Sequence, residues 1–266
     1  MNAIVTAGGA TEPKQPLYEI TRGGLKAMIE IAGKPMVQWV LDALSQCKDI
    51  ERVVVVGLSP ETDLGCAHPL IVLPDFGGML NNIQAGAREI QRLDPHATHA
   101  ILASGDLPTL RGEIVDWLIC QVKDPDQDIY YTVIERSTME RDFPGSKRTY
   151  VHLKDTQVCG GDLHCFRLSA ATEENPVWKR LIESRKRPLR QASILGYDTL
   201  FFLMLRQLSL QDAEATVCKR LGIKGRAVLS PYPEIGMDVD KPFQLELVRE
   251  AFARNREKYA PKAEQA

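Results

Sequence analysis

Ala3-Ile-Val-Thr-Ala-Gly-Gly-Ala-Thr11 opens the chain as a short β-forming run that breaks on two glycines. A strand that ends in Gly8-Gly9 turns sharply, because residues without a Cβ let the backbone curl and leave N–H groups free to donate. At the carboxyl edge of an open α/β sheet such a turn faces the crevice where anionic ligands sit. The same run also fits a plain tight turn. After an insertion, Gly24-Leu-Lys-Ala-Met-Ile-Glu-Ile-Ala-Gly-Lys-Pro-Met36 brings Lys26 as a counter-charge for that edge, although most lysines are simply solvated.

The alternation of periods extends this start into a fold. Apolar β-rich runs recur at 52–57, 70–73 and 100–103, and helix-period segments follow at 36–47, 78–93 and 113–123. Val53-Val-Val-Val56 has no polar face, so it suits a parallel strand covered on both sides by crossover helices. The pattern is a doubly wound α/β sheet. After about residue 126 the rhythm changes, with strands expected at 129–134, 150–153 and 162–167 in an antiparallel or mixed extension. A helical insertion is expected near residues 174–222, then a late strand at 227–230 and a final amphipathic helix over 243–259. The expectation is a single domain over 1–260 with a frayed tail at 261–266.

Bulk properties narrow the class. The 266 residues are 44% hydrophobic and 26% charged, with a formal net charge of -2, so no global basic field points to nucleic acid. The six cysteines are scattered without a Cys-x-x-Cys pair, against a zinc site or a disulfide framework. Cys47 and Cys120 fall on apolar helix stripes, where a thiol acts as a small hydrophobe. The start of the chain lacks a signal-peptide pattern, and the run Leu200–Leu205 is too short to span a bilayer, so a cytoplasmic protein is expected.

Two further segments offer chemistry. Ala103-Ser-Gly-Asp-Leu-Pro108 presents Asp106 at the carboxyl end of a strand, as a ligand for a bound group or as the cap of the next helix. In Asp238-Val-Asp240-Lys-Pro242, an extended backbone points both aspartates to one side, though an aspartate here also suits the positive end of the last helix. Carboxylates converging from distant segments make an oxygen-rich site that suits Mg²⁺, a hard cation that bridges phosphates.

Taken in order, Ala-Gly-Gly, Lys26–Met36, Gly105-Asp-Leu-Pro108 and Val239-Asp-Lys-Pro242 resemble the motifs of nucleotidyltransferases, the family of molybdenum-cofactor guanylyltransferases and sugar-1-phosphate nucleotidyltransferases. The resemblance runs from residue 3 to about 245, and Lys26–Met36 is its most specific part. It implies a Rossmann-like doubly wound mixed sheet, a divalent metal taken as Mg²⁺, and transfer of a nucleoside monophosphate from an NTP to a phosphate-bearing acceptor with release of pyrophosphate. Carried over, Ala7, Gly8 and Gly9 would line the nucleotide and Lys26 would meet its phosphates. Asp106 and Asp240 would hold the metal. Asn81 and Asn82, in Phe76–Gly86, resemble the family's segment near base and sugar, and Gly161 and Asp162 its acceptor edge. A helix start and a β-bulge are the structural alternatives for these last two segments.

The departure from the family lies at Ala10-Thr-Glu-Pro-Lys14, where an arginine that grips the triphosphate is usual. Either Arg22 or Lys14, in the lengthened loop, would replace it, or the grip on the triphosphate is weaker. Asp238-Val-Asp240 also has the Asp-x-Asp look of a glycosyltransferase metal site, and loss of the arginine would suit a nucleotide-binding regulator without turnover. The five histidines are isolated; His164, near the acceptor edge, reads as packed or surface. The basic run Arg185–Arg190 before an apolar stretch reads as a solvated helix end or as a surface for an amphiphilic acceptor.

Overall fold

The computed structural model describes residues 1–172 and 207–259. The valine run and the opening strand behave as their composition demands. β1 (Asn2–Thr6) lies between β4 (Arg52–Val56) and β6 (His99–Ser104), and β5 (Leu70–Leu73) lies beyond β4, all four parallel. Ala3, Val5, Val53, Val55, Ile101 and Ala103 enter one core, while Ile4, Val54, Val56 and Ala100 enter the other, so both faces are dry.

Helices cover these faces. α1 (Tyr18–Thr21) sits in the insertion after β1, and β2 (Glu30–Ile31) and β3 (Lys34–Pro35) form a small hairpin ahead of α2 (Met36–Ser45). Its turn, Ala32-Gly33, has φ of 50° and 86°, the pair of positive values a two-residue hairpin needs. Trp39 Nε1 donates to Ile31 O at 2.8 Å, and Lys34 pairs with Asp42 at 3.1 Å. The Gly-Lys-Pro part of the signature is therefore a device for seating α2. α3 (Met79–Leu93) packs Ile83, Ala87 and Ile90 on the second core; α2 and α4 (Gly112–Gln121) pack on the first.

The second half is antiparallel where it joins the first. β7 (Ile129–Glu135) precedes α5 (Arg136–Asp142), and β8 (Val151–His152) and β9 (Gln157–Gly160) lead into β10 (Leu163–Arg167). β10 is wedged antiparallel between β6 and β7, while β9 continues along β7. Val133 faces Gly160 and Tyr130 faces Cys165, so five steps along one strand run against three along the other. The bulge expected as one alternative at Gly160-Gly161-Asp162 is therefore present. After α6 (Leu168–Thr172), α7 (Leu210–Leu221) starts on a Ser209 capping box, and β11 (Gly225–Ser230) joins β7 in parallel. This is a Rossmann-like mixed sheet flanked by helices.

The final amphipathic stretch is two helices, α8 (Pro242–Arg254) and α9 (Arg256–Tyr259), split at Asn255. Cys47 is buried, but Cys120 is exposed, because α4 turns it away from the core. No described helix is long and apolar enough to cross a membrane. Most of the expected insertion, including Arg185–Leu205, and the tail 261–266 lie outside the described residues.

Candidate active site

The glycine turn is built by backbone against backbone. Ala7 N donates to Val56 O and Gly105 N donates to Thr6 O, both at 2.8 Å, so the turn sits at the joint carboxyl edge of β1, β4 and β6. Gly57, with φ of 112°, lies directly against Gly8, and a Cβ there would overlap the Gly8 N and Cα atoms. The insertion does not carry Lys26 away from this edge. Ala10 bridges to Leu25, and Thr11 N donates to Gly24 O at 3.2 Å, which folds residues 11–24 out as a closed loop. Lys26 then follows directly on that bridge.

Three carboxylates meet Lys26 or its partners. Asp106, 7% exposed, accepts from Ser104 Oγ at 2.5 Å and pairs with the Lys26 ammonium, which also pairs with Asp240. Asp106 caps no helix, since α4 begins only at Gly112 with Arg111 as its N-cap. Asp240 likewise precedes the cap, Lys241, and its N–H donates to Gln244 Oε1 at 3.0 Å. Val239 N donates to Asp106 O at 3.1 Å, a bond that fastens the C-terminal segment to the β6 loop. Upstream, the buried Glu234 carboxylate lies between Arg111 (3.0 Å) and Lys258 (2.8 Å), and Thr109 Oγ1 donates to its carbonyl at 2.9 Å. As a result Asp106, Asp238 and Asp240 offer oxygens all within 4.8 Å of one another.

A residue without any motif completes the cluster. Arg148, in the loop between α5 and β8, pairs with Asp238, lies 3.7 Å from Asp162 and donates to Gly160 O at 3.1 Å. Its neighbour Lys147 rests over the Phe243 ring, 5.1 Å from the centroid, which holds the loop beside α8. Arg148 thereby connects Asp238 to the Gly160–Asp162 edge. His164 stacks on Tyr131, with ring centroids 4.4 Å apart, and its Nδ1 accepts from Thr132 N at 3.2 Å, so it is a packed histidine.

Charge sets the protonation states. Burial works against the Lys26 ammonium, but Asp106 and Asp240 outweigh it and hold its pKa above the ordinary lysine value. Arg148 is raised in the same way by Asp238 and Asp162 against the cost of burial. Burial, then the Asp162 charge, pushes the Asp238 carboxyl up despite Arg148. Burial also opposes ionisation of Asp240, yet Lys26 wins and lowers it.

Asn81 and Asn82 have different roles in the structure. Asn81 is exposed and donates to Phe76 O at 3.0 Å. Asn82 is buried beside Gly8; its Oδ1 accepts from Phe76 N at 2.8 Å and its Nδ2 donates to Asp75 Oδ1 at 2.9 Å. Asn82 fixes the loop that backs the glycine turn. Its hydrogen bond, with those of nearby backbone N–H groups, holds the Asp75 carboxyl below the usual range. Asn82→Ala should therefore cost about 1–3 kcal/mol in urea unfolding at pH 7. Asp75 has a depressed folded pKa, so its contribution exists above the ordinary carboxylate range and fades as pH falls through it. The gap between wild type and variant should narrow on acidification below about pH 4; a constant gap would place the loss elsewhere.

The structure brings Lys26, Asp106 and Asp240 together, with Asp162 joined through Arg148, and it seats Ala7–Gly9 on the same edge. Lys14 and Arg22, the two candidates to replace an arginine, are both exposed. Asp75 and Arg148 escaped the sequence reading. Asp75 ends the β5 segment just as Asp106 ends β6, and the same positional rule would have found it. Arg148 carries no comparable signal.

Residues 3–199 match the model of the MobA-like NTP transferase domain. No curated protein sequence matches the chain. A hypothetical transferase from Thermus thermophilus is 34% identical, with a TM-score of 0.79 over 92% of this chain and 98% of that one. The structure of CMP:2-keto-3-deoxy-manno-octonic acid synthetase complexed with CTP is 17% identical, TM-score 0.56, over 96% and 99%. The 4-diphosphocytidyl-2C-methyl-D-erythritol synthase from Anaerococcus prevotii is 12% identical, TM-score 0.54, over 95% and 98%; these last two share the fold. The chain belongs to the MobA-like NTP transferase family and is a nucleotidyltransferase.

Proposed function

We propose that this protein transfers a nucleoside monophosphate from an NTP to a phosphate-bearing small molecule and releases pyrophosphate, with Mg²⁺ as its cation. The observation that carries the reading is Lys26 between Asp106 and Asp240 at the edge that holds the Gly8-Gly9 turn. Three carboxylate donors within 4.8 Å of one another are hard oxygen ligands and fit Mg²⁺. Asp106 and Asp240 would hold it, with Asp238 in reach. When bound, the ion supplies positive charge that offsets the charge of the triphosphate.

The chain's own residues do the rest. The Gly8-Gly9 turn faces the phosphates, with Ala7 lining it while its N–H stays on Val56 O, and the Lys26 ammonium stabilises negative charge that grows at the α-phosphorus. The acceptor's phosphate oxygen is already ionised, so it attacks without a general base. One P–O bond forms to the α-phosphorus, the bond to the β-phosphate bridge breaks, and pyrophosphate carries the electron pair away. Arg148 supports an anionic acceptor, because it places a cation at the Gly160–Asp162 edge. Asp75 and Asn82, beside Gly8, shape the wall against which the nucleoside rests. That the solved synthetase of the same fold was complexed with CTP supports an NTP as donor.

A screen of four NTPs against a panel of phosphorylated acceptors, read by pyrophosphate release with Mg²⁺ present, tests the reading. One productive pair is expected, and chelation of the metal should abolish it. Silence across every pair from folded protein would favour a regulator that binds nucleotide without turnover.

A further inference from the structure

We infer that Arg148 is an exchangeable counter-ion, held on Asp238 when no cation is bound and displaced from it when a divalent cation loads. The inference rests on reading Asp106, Asp238 and Asp240 as a cation site. Asp238 is placed within 4.8 Å of the other two carboxylates, yet the Arg148 guanidinium already occupies it. Two positive groups cannot share one carboxylate at full strength, so guanidinium and metal compete for Asp238.

The geometry also gives the displaced group somewhere to stay. Arg148 keeps two other partners, Gly160 O at 3.1 Å and Asp162 at 3.7 Å, both on the β9–β10 edge and neither in the carboxylate triad. A planar fork with five N–H donors can release one acceptor and remain held by the others, which a lysine ammonium would do less well. Its side chain is 16% exposed, so an uncompensated charge there would be costly and some anion must always face it. Loading a cation frees part of the fork at the edge where we place the acceptor.

Mn²⁺ binding to the substrate-free protein at pH 8, followed by electron paramagnetic resonance, tests the competition without turnover. Arg148→Met should bind Mn²⁺ about fivefold to a hundredfold more tightly than wild type, with Arg148→Lys nearer wild type. Folded Arg148→Met with unchanged or weaker Mn²⁺ binding would overturn the inference. Should that variant not fold, the wild-type protein decides: phenylglyoxal modification of Arg148, mapped by mass spectrometry, should speed up several-fold on saturation with Mg²⁺. A rate that Mg²⁺ leaves unchanged or lowers would count against exchange. Because neither readout uses an NTP, failure of the transferase assay would leave this result standing, and the reverse also holds.

Discussion

Asp106→Asn is expected to lower pyrophosphate release at saturating substrates by about a hundredfold to a thousandfold while the fold remains intact. The substitution keeps the size of the side chain and removes its charge. In the structure that carboxylate accepts from Ser104 Oγ and from the Lys26 ammonium at once. An amide has one acceptor oxygen, so one of those donors would face an N–H₂ group instead. Lys26 would be left with Asp240 as its ion-pair partner, and the cation site would lose its most buried ligand. Lys26→Met should cost a similar factor, and the double variant should lose far less than the product of the two, because the residues act on the same charge. Steady-state kinetics with circular dichroism as the folding control would check it. A rate within tenfold of wild type would remove Asp106 from the chemistry.

Gly57→Ala should be the most damaging small change near the site, at about 3–5 kcal/mol of unfolding free energy. Two costs combine. At φ of 112° an alanine is strained whatever space surrounds it, and here its Cβ would meet the Gly8 backbone, which cannot rotate away as a side chain can. The turn would have to move, carrying Gly8 away from Asp75 and Asn82. Gly9→Ala is the natural comparison. Gly9 also has a positive φ, 95°, but a Cβ there would meet nothing within 4 Å, so it should show only the backbone strain, about 1–3 kcal/mol. Urea unfolding of the two variants side by side would expose the difference, and NTP affinity should fall more steeply for Gly57→Ala. Equal losses would mean that close approach at Gly57 is unimportant.

The fold was legible where a single period dominates. Val53–Val56 and Ala3–Val5 divide their side chains between two cores, which is the condition that their unbroken apolar composition described. Asp106 was legible because strand ends are where open sheets place ligands, and Lys26 because a spacing linked it to the glycine turn. No sequence rule showed that an Ala10–Leu25 bridge would close the loop between the glycine turn and Lys26. The fit of residues 160–165 depends on register against β7, a property of two strands at once, so a bulge could be named only as an alternative. Arg148 was illegible for the same reason. It lies in a polar loop, and its importance comes from Asp238, 90 positions away.

That separation has a consequence for the order in which the molecule is assembled. Lys26 meets Asp240 across 214 positions, so its pairing closes a very long stretch of chain. Contacts of that kind form late, after the nearer strands have paired, since the entropy of bringing the ends together must be met first. They also depend on Pro233–Gly236 and the short Asp238–Asp240 run, whose fastenings include the Val239–Asp106 and Glu234 bonds. Local opening of this segment would unmake the cluster of Lys26 with its carboxylates while the parallel sheet stayed folded. Amide exchange at Val239 should then report how often the enzyme is competent, and its protection factor, more than the global melting temperature, should track activity as temperature rises.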